Sequence, residues 1–272
     1  AQTLLDGFID KTPLVPSYYL SDVLKNEVLL KLENMQPIGS FKIRGAISAV
    51  QNLPKDTRVV TCCSTGNHGR GIAYAAGLKG IKAVIFMSSL VPKVKIEAIQ
   101  NLGAEVILCD DDQAMAELAC QKFVLENGYV DISPFDDPYV IAGQGTIGLE
   151  LLAQRPDINS IVVPLSGGGL AAGIALAVKE INPKIKVFGV TMENGAAMHV
   201  SLQNGKPTDV TEVPSLADAL GGGIGLDNKY TFSLCEKFLD DTFTVSESEI
   251  YHTMQTLYYE DRIIAEGSCV VG

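Results

Sequence analysis

The sequence predicts an α/β protein built on parallel sheets, and three observations carry that expectation. Short, uninterrupted apolar runs such as RVVTCC, KAVIFM and SIVVPL recur, each with the β-branched content of a strand covered on both faces. Stretches with helical spacing separate them, so strand and helix alternate from about residue 58 onward. Glycines punctuate the junctions, among them Gly80, Gly103 and the run Gly167-Gly168-Gly169.

Taken in order, RVVTCC (58–63) opens the first series. STG leads from it into HGRGIAYAAGLKG, whose Ala, Ile and Tyr positions suit a helix ending near Gly80. KAVIFM (82–87) is the next strand, and VPKVKIEAIQNLG a helix closed by Gly103. EVILC (105–109), a helix over 112–126 and YVDI (129–132) complete the series. A second series follows PFDDP (134–138): a helix over roughly 142–154, SIVVPL (160–165), SGGGL, a helix to Ile181 and KVFGVT (186–191). DTFTV then resembles a strand, and SESE (246–249) supplies the Ser-x-x-Glu capping box of a helix. The expected plan is two α/β lobes with the active site in the cleft between them. The larger comprises 1–54 and 138–272, and the smaller, 55–137, is inserted in it.

Composition narrows the function classes. A chain of 272 residues, 47% hydrophobic and 19% charged, has the make-up of an ordinary globular protein. Its net charge of −11, without a dense Lys/Arg run, argues against nucleic acid as a partner. No apolar run is long enough to span a membrane, and no secretory leader opens the chain, so a cytoplasmic location is expected. Cysteines 62, 63, 109, 120, 235 and 269 form no C-x-x-C pair and suit free thiols in a reducing compartment. His68, His199 and His252 are too scattered for a metal site, so no metal is expected.

The chemistry points to three places. In GSFKIRGA (39–46), Lys42 has Phe41 and Ile43 for neighbours instead of other charges. Desolvation there would lower its pKa, and a neutral amine is the form that builds a Schiff base with an aldehyde. A loop lysine whose stem packs on Phe41 while its head reaches water is the plainer reading of those residues alone. Ser166-Gly167-Gly168-Gly169-Leu170 joins a strand to a helix, where glycines and successive N–H groups make a phosphate cup. It is neither G-x-G-x-x-G nor a P-loop, and as a bare motif it also suits a tight strand–helix turn. Ser64-Thr65-Gly66-Asn67-His68-Gly69, also between strand and helix, suits a carboxylate; Asn67 as a plain N-cap and His68 as a surface residue is the alternative. One ligand answers all three features. Pyridoxal 5'-phosphate has an aldehyde for the lysine, a phosphate for the cup and a ring to lie on Phe41, and its partner amino acid brings the carboxylate.

ENMQPIGSFKIRGA, CSTGNHGRGIAYAA, AGQGTIGLE, PLSGGGLAAG and IAEGS stand in the order found in fold type II pyridoxal-phosphate enzymes. The chain resembles the threonine/serine dehydratase and serine racemase group over nearly its whole length. The resemblance implies the tryptophan synthase β-like fold and a homodimer. It also implies that Lys42 holds the cofactor and removes the substrate Cα proton. Phe41 would pack on the cofactor ring, Asn67 bond its phenolic oxygen, Ser166 to Leu170 hold the phosphate and Glu266 stand near the cofactor. Ser64, Thr65, Gly66, Asn67 and His68 would grip the substrate carboxylate. The implied reaction is elimination of a β-hydroxyl from a hydroxy amino acid, giving a 2-oxo acid and ammonia. Racemisation of serine or another amino acid, or dehydration of 3-hydroxyaspartate or a hydroxyectoine-pathway substrate, is the alternative, and a non-catalytic binding module the outlier.

Four departures qualify the resemblance. Thr65 stands where racemases of the group carry the serine serving the opposite face of Cα, which favours elimination. Thr191, Gly195 and Ala197 occupy the group's divalent-metal positions. The usual Ala-Asp-Gly is Ala217-Asp218-Ala219, followed by Leu220 and three glycines, a version similar to dehydratases of hydroxyectoine breakdown. Finally, the group continues past IAEGS for a helix and a strand, so a chain ending at Gly272 is expected to be truncated relative to it.

Overall fold

The computed structural model of the chain describes residues 1–64, 66–109 and 113–272, the side chains of 113 and 114 excepted. Its strands are β1 (Leu14–Pro16), β2 (Leu29–Lys31), β3 (Val59–Cys63), β4 (Lys82–Ser88), β5 (Glu105–Cys109), β6 (Val130–Asp131), β7 (Ser160–Pro164), β8 (Lys186–Met192) and β9 (Asp241–Val245). Its α-helices are α1 (Gln2–Leu5), α2 (Tyr18–Leu24), α3 (Lys42–Asn52), α4 (Asn67–Lys79), α5 (Lys93–Gln100) and α6 (Gln113–Asn127). They continue with α7 (Pro138–Gln154), α8 (Gly169–Ile181), α9 (Ala197–Asn204), α10 (Thr231–Phe238) and α11 (Glu247–Thr256). The chain forms two compact units: Ala1–Asp10 with Glu33–Gly143, and Lys11–Leu32 with Gln144–Gly272.

In the first unit a four-stranded parallel sheet runs β5-β4-β3-β6. β4 shows why its sequence is apolar without a break. Ala83, Ile85 and Met87 enter the core shared with α3 and α4, whereas Val84 and Phe86 enter a second cluster with Cys120 of α6. Both faces are covered, so period-2 alternation of polarity has no reason to appear. β4 and β5 follow β3 on one side while β6 pairs on the other. The order in which the chain adds strands therefore reverses at β3/β6, and such a switch point leaves a crevice at the carboxyl ends of the strands, where α/β proteins bind ligands.

α3 belongs to this unit, whereas the sequence reading places residues 33–54 with the larger domain. Close helix packing accounts for the difference. Ile43, Ala46, Ile47 and Val50 of α3 share one buried core with Ile72, Ala73, Ala75 and Ala76 of α4. Gly71 lets the helices approach: a Cβ there would lie 3.1 Å from Ala46 Cβ and 3.3 Å from the Lys42 carbonyl oxygen. Truncating Ile47 to Ala would cost about 3 kcal/mol at such a site.

The second unit carries the parallel sheet β7-β8-β9 and the antiparallel ribbon β1-β2. β7 delivers Leu165, whose N–H bonds Val190 O at 2.7 Å, directly into the glycine turn before α8. Ser246 caps α11 through the reciprocal box with Glu249 that the sequence predicts.

Candidate active site

Phe41 and Lys42 open α3 after a turn in which Gly39, at φ +74°, donates its N–H to Gln36 O. The first turn of α3 is tightly held. Besides Gly71, Gly143 of α7 crosses it so closely that a Cβ would fall 2.5 Å from the Arg44 carbonyl oxygen. Arg44 itself is fully buried, and its guanidinium grips both carboxylate oxygens of Glu33 at 2.8 Å. A fork of two charge-assisted bonds fixes helix rotation more firmly than one would.

That rotation aims Lys42. Its Nζ donates to Pro134 O at 2.9 Å and lies 5.4 Å from the centre of the Phe41 ring. The residue keeps part of its surface exposed, yet burial around the amine pulls its pKa down to about 8, against a smaller opposing effect from Cys62. At neutral pH a usable share of the amine is uncharged, as Schiff-base chemistry requires.

Ser64 follows β3 at the same switch point. Ser64 turns its hydroxyl onto the loop itself, accepting the N–H groups of Gly66 at 3.4 Å and Gly69 at 3.2 Å. Gly66 is the N-cap position of α4 and Asn67 its first residue. Thr65 lies outside the described residues. His68 is 3% exposed and points inward, with Nε2 2.8 Å from Ile132 O. Burial and then the Lys42 charge push its pKa down to about 3. The surface histidine weighed for this position is thus a buried neutral one.

In the second unit, Ser166 to Gly168 form the turn between β7 and α8, and Gly169 and Leu170 open the helix. Gly168 has φ +89°, and a Cβ there would meet Met198 Cε at 2.7 Å and Cys235 Sγ at 3.0 Å. Both backbone hand and space demand glycine. The first-turn N–H groups of α8 have no intrahelical acceptors, so they remain available to an anion. Glu266 immediately precedes the short 3-10 turn Gly267–Cys269. Next to it Gly267 meets the Leu216 carbonyl, and Ser268 Oγ accepts the Ala219 N–H at 3.0 Å, so the IAEGS motif docks the 216–219 segment. Glu247 holds the same segment through Ser215 Oγ and the Leu216 N–H.

Sequence reasoning did not find the Arg44–Glu33 pair, the Pro134 acceptor or the latching role of Glu247. A lone arginine amid Ile, Gly and Ala was the one available signal; a backbone carbonyl has none.

Residues 5–272 match the family described as pyridoxal-phosphate dependent enzyme. The chain belongs to that family. Its relatives include a Sinorhizobium fredii protein provisionally named a threonine dehydratase, 46% identical over 100% of this chain and 82% of the relative. An L-threonine ammonia-lyase of Thermotoga maritima is 41% identical over 100% of this chain and 68% of its own. Among solved structures, maize serine racemase matches with a TM-score of 0.95 at 32% identity, over 100% of this chain and 82% of that one. The cofactor of the family is pyridoxal 5'-phosphate. The residues present fit it: a desolvated lysine amine for the aldehyde, and a strand–helix turn whose conformation excludes side chains for the phosphate.

Proposed function

We propose that this chain is a pyridoxal-phosphate-dependent ammonia-lyase that eliminates the β-hydroxyl of a hydroxy amino acid such as threonine or serine. The net products are a 2-oxo acid and ammonia. The observation that carries the reading is the Lys42 amine, drawn down to about 8 and aimed by Pro134 O at 2.9 Å. The 41% identity to an L-threonine ammonia-lyase supports the substrate class.

When bound, the cofactor supplies a conjugated ring that accepts the electron pair left at the substrate Cα. The chain's residues do the rest. Lys42 would hold the aldehyde carbon and, once displaced by the substrate amine, take the Cα proton on Nζ as a neutral base. Phe41 would cover the ring, and Asn67 would bond the phenolic oxygen. The N–H groups from Ser166 to Leu170 would neutralise the phosphate, helped by the α8 dipole. The backbone of 64–68 would bind the substrate carboxylate, while Glu266 and the docked 217–219 segment would face the cofactor and substrate.

Purified chain incubated with cofactor and L-threonine or L-serine should release 2-oxo acid and ammonia in equal amounts. The 32% identity to serine racemase carries the second reading. Chiral chromatography in deuterated water separates the two: deuterated D-serine appearing faster than pyruvate would reverse the order.

The same reading includes a homodimer and a cytoplasmic location. Exposed Tyr18, Val23 and Leu24 on α2, linked by Ser17 to Asp261 beside exposed Tyr258 and Tyr259, support a subunit face; light scattering tests it. All six cysteines are free, which suits a reducing compartment, and no helix among the described residues is long and apolar enough to cross a membrane.

A further inference from the structure

Two carbonyls on one short segment hold two buried nitrogens. Pro134 O accepts from the Lys42 amine at 2.9 Å, and Ile132 O stands 2.8 Å from His68 Nε2. Upstream, the segment leaves the sheet after the Ile132 N–H bonds Thr61 O at 3.1 Å. Downstream, Ser133 Oγ accepts the N–H groups of Phe135 and Asp136, and Asp137 caps α7 through Tyr139 and Val140. Those downstream bonds are local to the turn. The upstream end of the segment is held at Ile132, by Thr61 O and by the His68 ring, so a change at His68 reaches the Pro134 carbonyl from that side.

A carbonyl oxygen only accepts, so His68 must carry its proton on Nε2. Nδ1 is then a bare lone pair, buried and without a partner among the described residues. An imidazole so placed is a fixed neutral donor, because protonating Nδ1 would bury a charge close to the Lys42 ammonium. A neutral Lys42 donating one N–H to Pro134 O has its remaining lone pair directed away from that carbonyl. Moving the carbonyl would re-aim the lone pair.

We propose that His68 is a positioning residue for Lys42: its Nε2–H holds Ile132, and through the 132–134 segment sets the Pro134 carbonyl that orients the reacting amine. The proposal rests on Lys42 being the cofactor lysine, and it assigns His68 a task distinct from the substrate-carboxylate contacts of its loop.

The test compares His68→Leu with His68→Gln in the full chain freed of cofactor. The glutamine amide can reach and donate to Ile132 O; leucine cannot. The rate of Schiff-base formation with added pyridoxal 5'-phosphate should fall about tenfold in His68→Leu and return to within about threefold in His68→Gln. With substrate, kcat should fall in His68→Leu and recover in His68→Gln. Equal rates in all three proteins, or glutamine failing as badly as leucine, would overturn the proposal. Should neither variant fold, ¹⁵N NMR of the unsubstituted chain decides. A ring neutral from pH 5 to 8 with its proton on Nε2 supports the assignment, and a ring that titrates there or carries the proton on Nδ1 refutes it. Absence of any Schiff base at Lys42 in the unsubstituted chain would instead count against the lysine assignment, and the NMR result would still judge the His68 contact.

Discussion

In the proposed function the chemistry at Lys42 belongs to a side chain, whose neighbours hold it in place. At Ser166–Leu170 it would belong to the backbone, where the neighbours of Gly168 leave no room for a side chain. The lysine's surroundings include a buried arginine fork, two helices in glycine-mediated contact and a carbonyl acceptor. The turn consists of a left-handed glycine under Met198 and Cys235, opening a helix. A side-chain site can therefore be damaged from a distance through whatever positions it, whereas a backbone site is damaged chiefly by anything that adds bulk.

That contrast orders the expected effects. Lys42→Ala removes the nitrogen proposed to react, so turnover should fall by at least about a thousandfold with the fold intact. Circular dichroism alongside a 2-oxo acid assay checks both halves. Arg44→Met attacks the lysine from behind its helix. Leaving Glu33 without its guanidinium in a mostly buried position should cost about 3–5 kcal/mol, read by denaturant melts. At the turn, Gly168→Ala must strain both φ and packing, costing about 2 kcal/mol and weakening cofactor affinity. Equilibrium titration with pyridoxal 5'-phosphate should show that loss while the pKa of Lys42 stays put.

The pH response sharpens the same contrast. Lys42 has a folded pKa near 8, below the usual ~10.4 of the unfolded chain. Schiff-base formation should therefore rise through about pH 8 instead of 10. Between those values the unfolded chain binds more protons, so the cofactor-free fold should gain stability as pH rises across that window. Lys42→Met should flatten the gain, while Gly168→Ala should keep it. The smallest effect belongs to Gly71→Ala, whose Cβ would press Ala46 and the Lys42 carbonyl for about 1 kcal/mol.

Much of this was legible in the chain. The strands of the parallel sheets were, because sheets covered on both faces impose unbroken apolar runs, as β4 does by sending Ile85 and Phe86 to opposite clusters; the short ribbon β1-β2 was not. The glycine turn was too, since Gly168 answers a demand no other residue meets. The packing of α3 was not: helix partners distant in sequence are chosen by surfaces such as Gly71 against Lys42, and these have no local pattern. Nor was the inward turn of His68, because its partner is the backbone of Ile132, which every sequence possesses equally.

The most direct measurement is to reduce the cofactor-loaded chain with borohydride, digest it and locate the phosphopyridoxyl group by mass spectrometry. One label is expected, on the peptide containing Lys42, with yield rising through about pH 8. A label on Lys31, Lys79 or any other lysine, or no label at all, would contradict it.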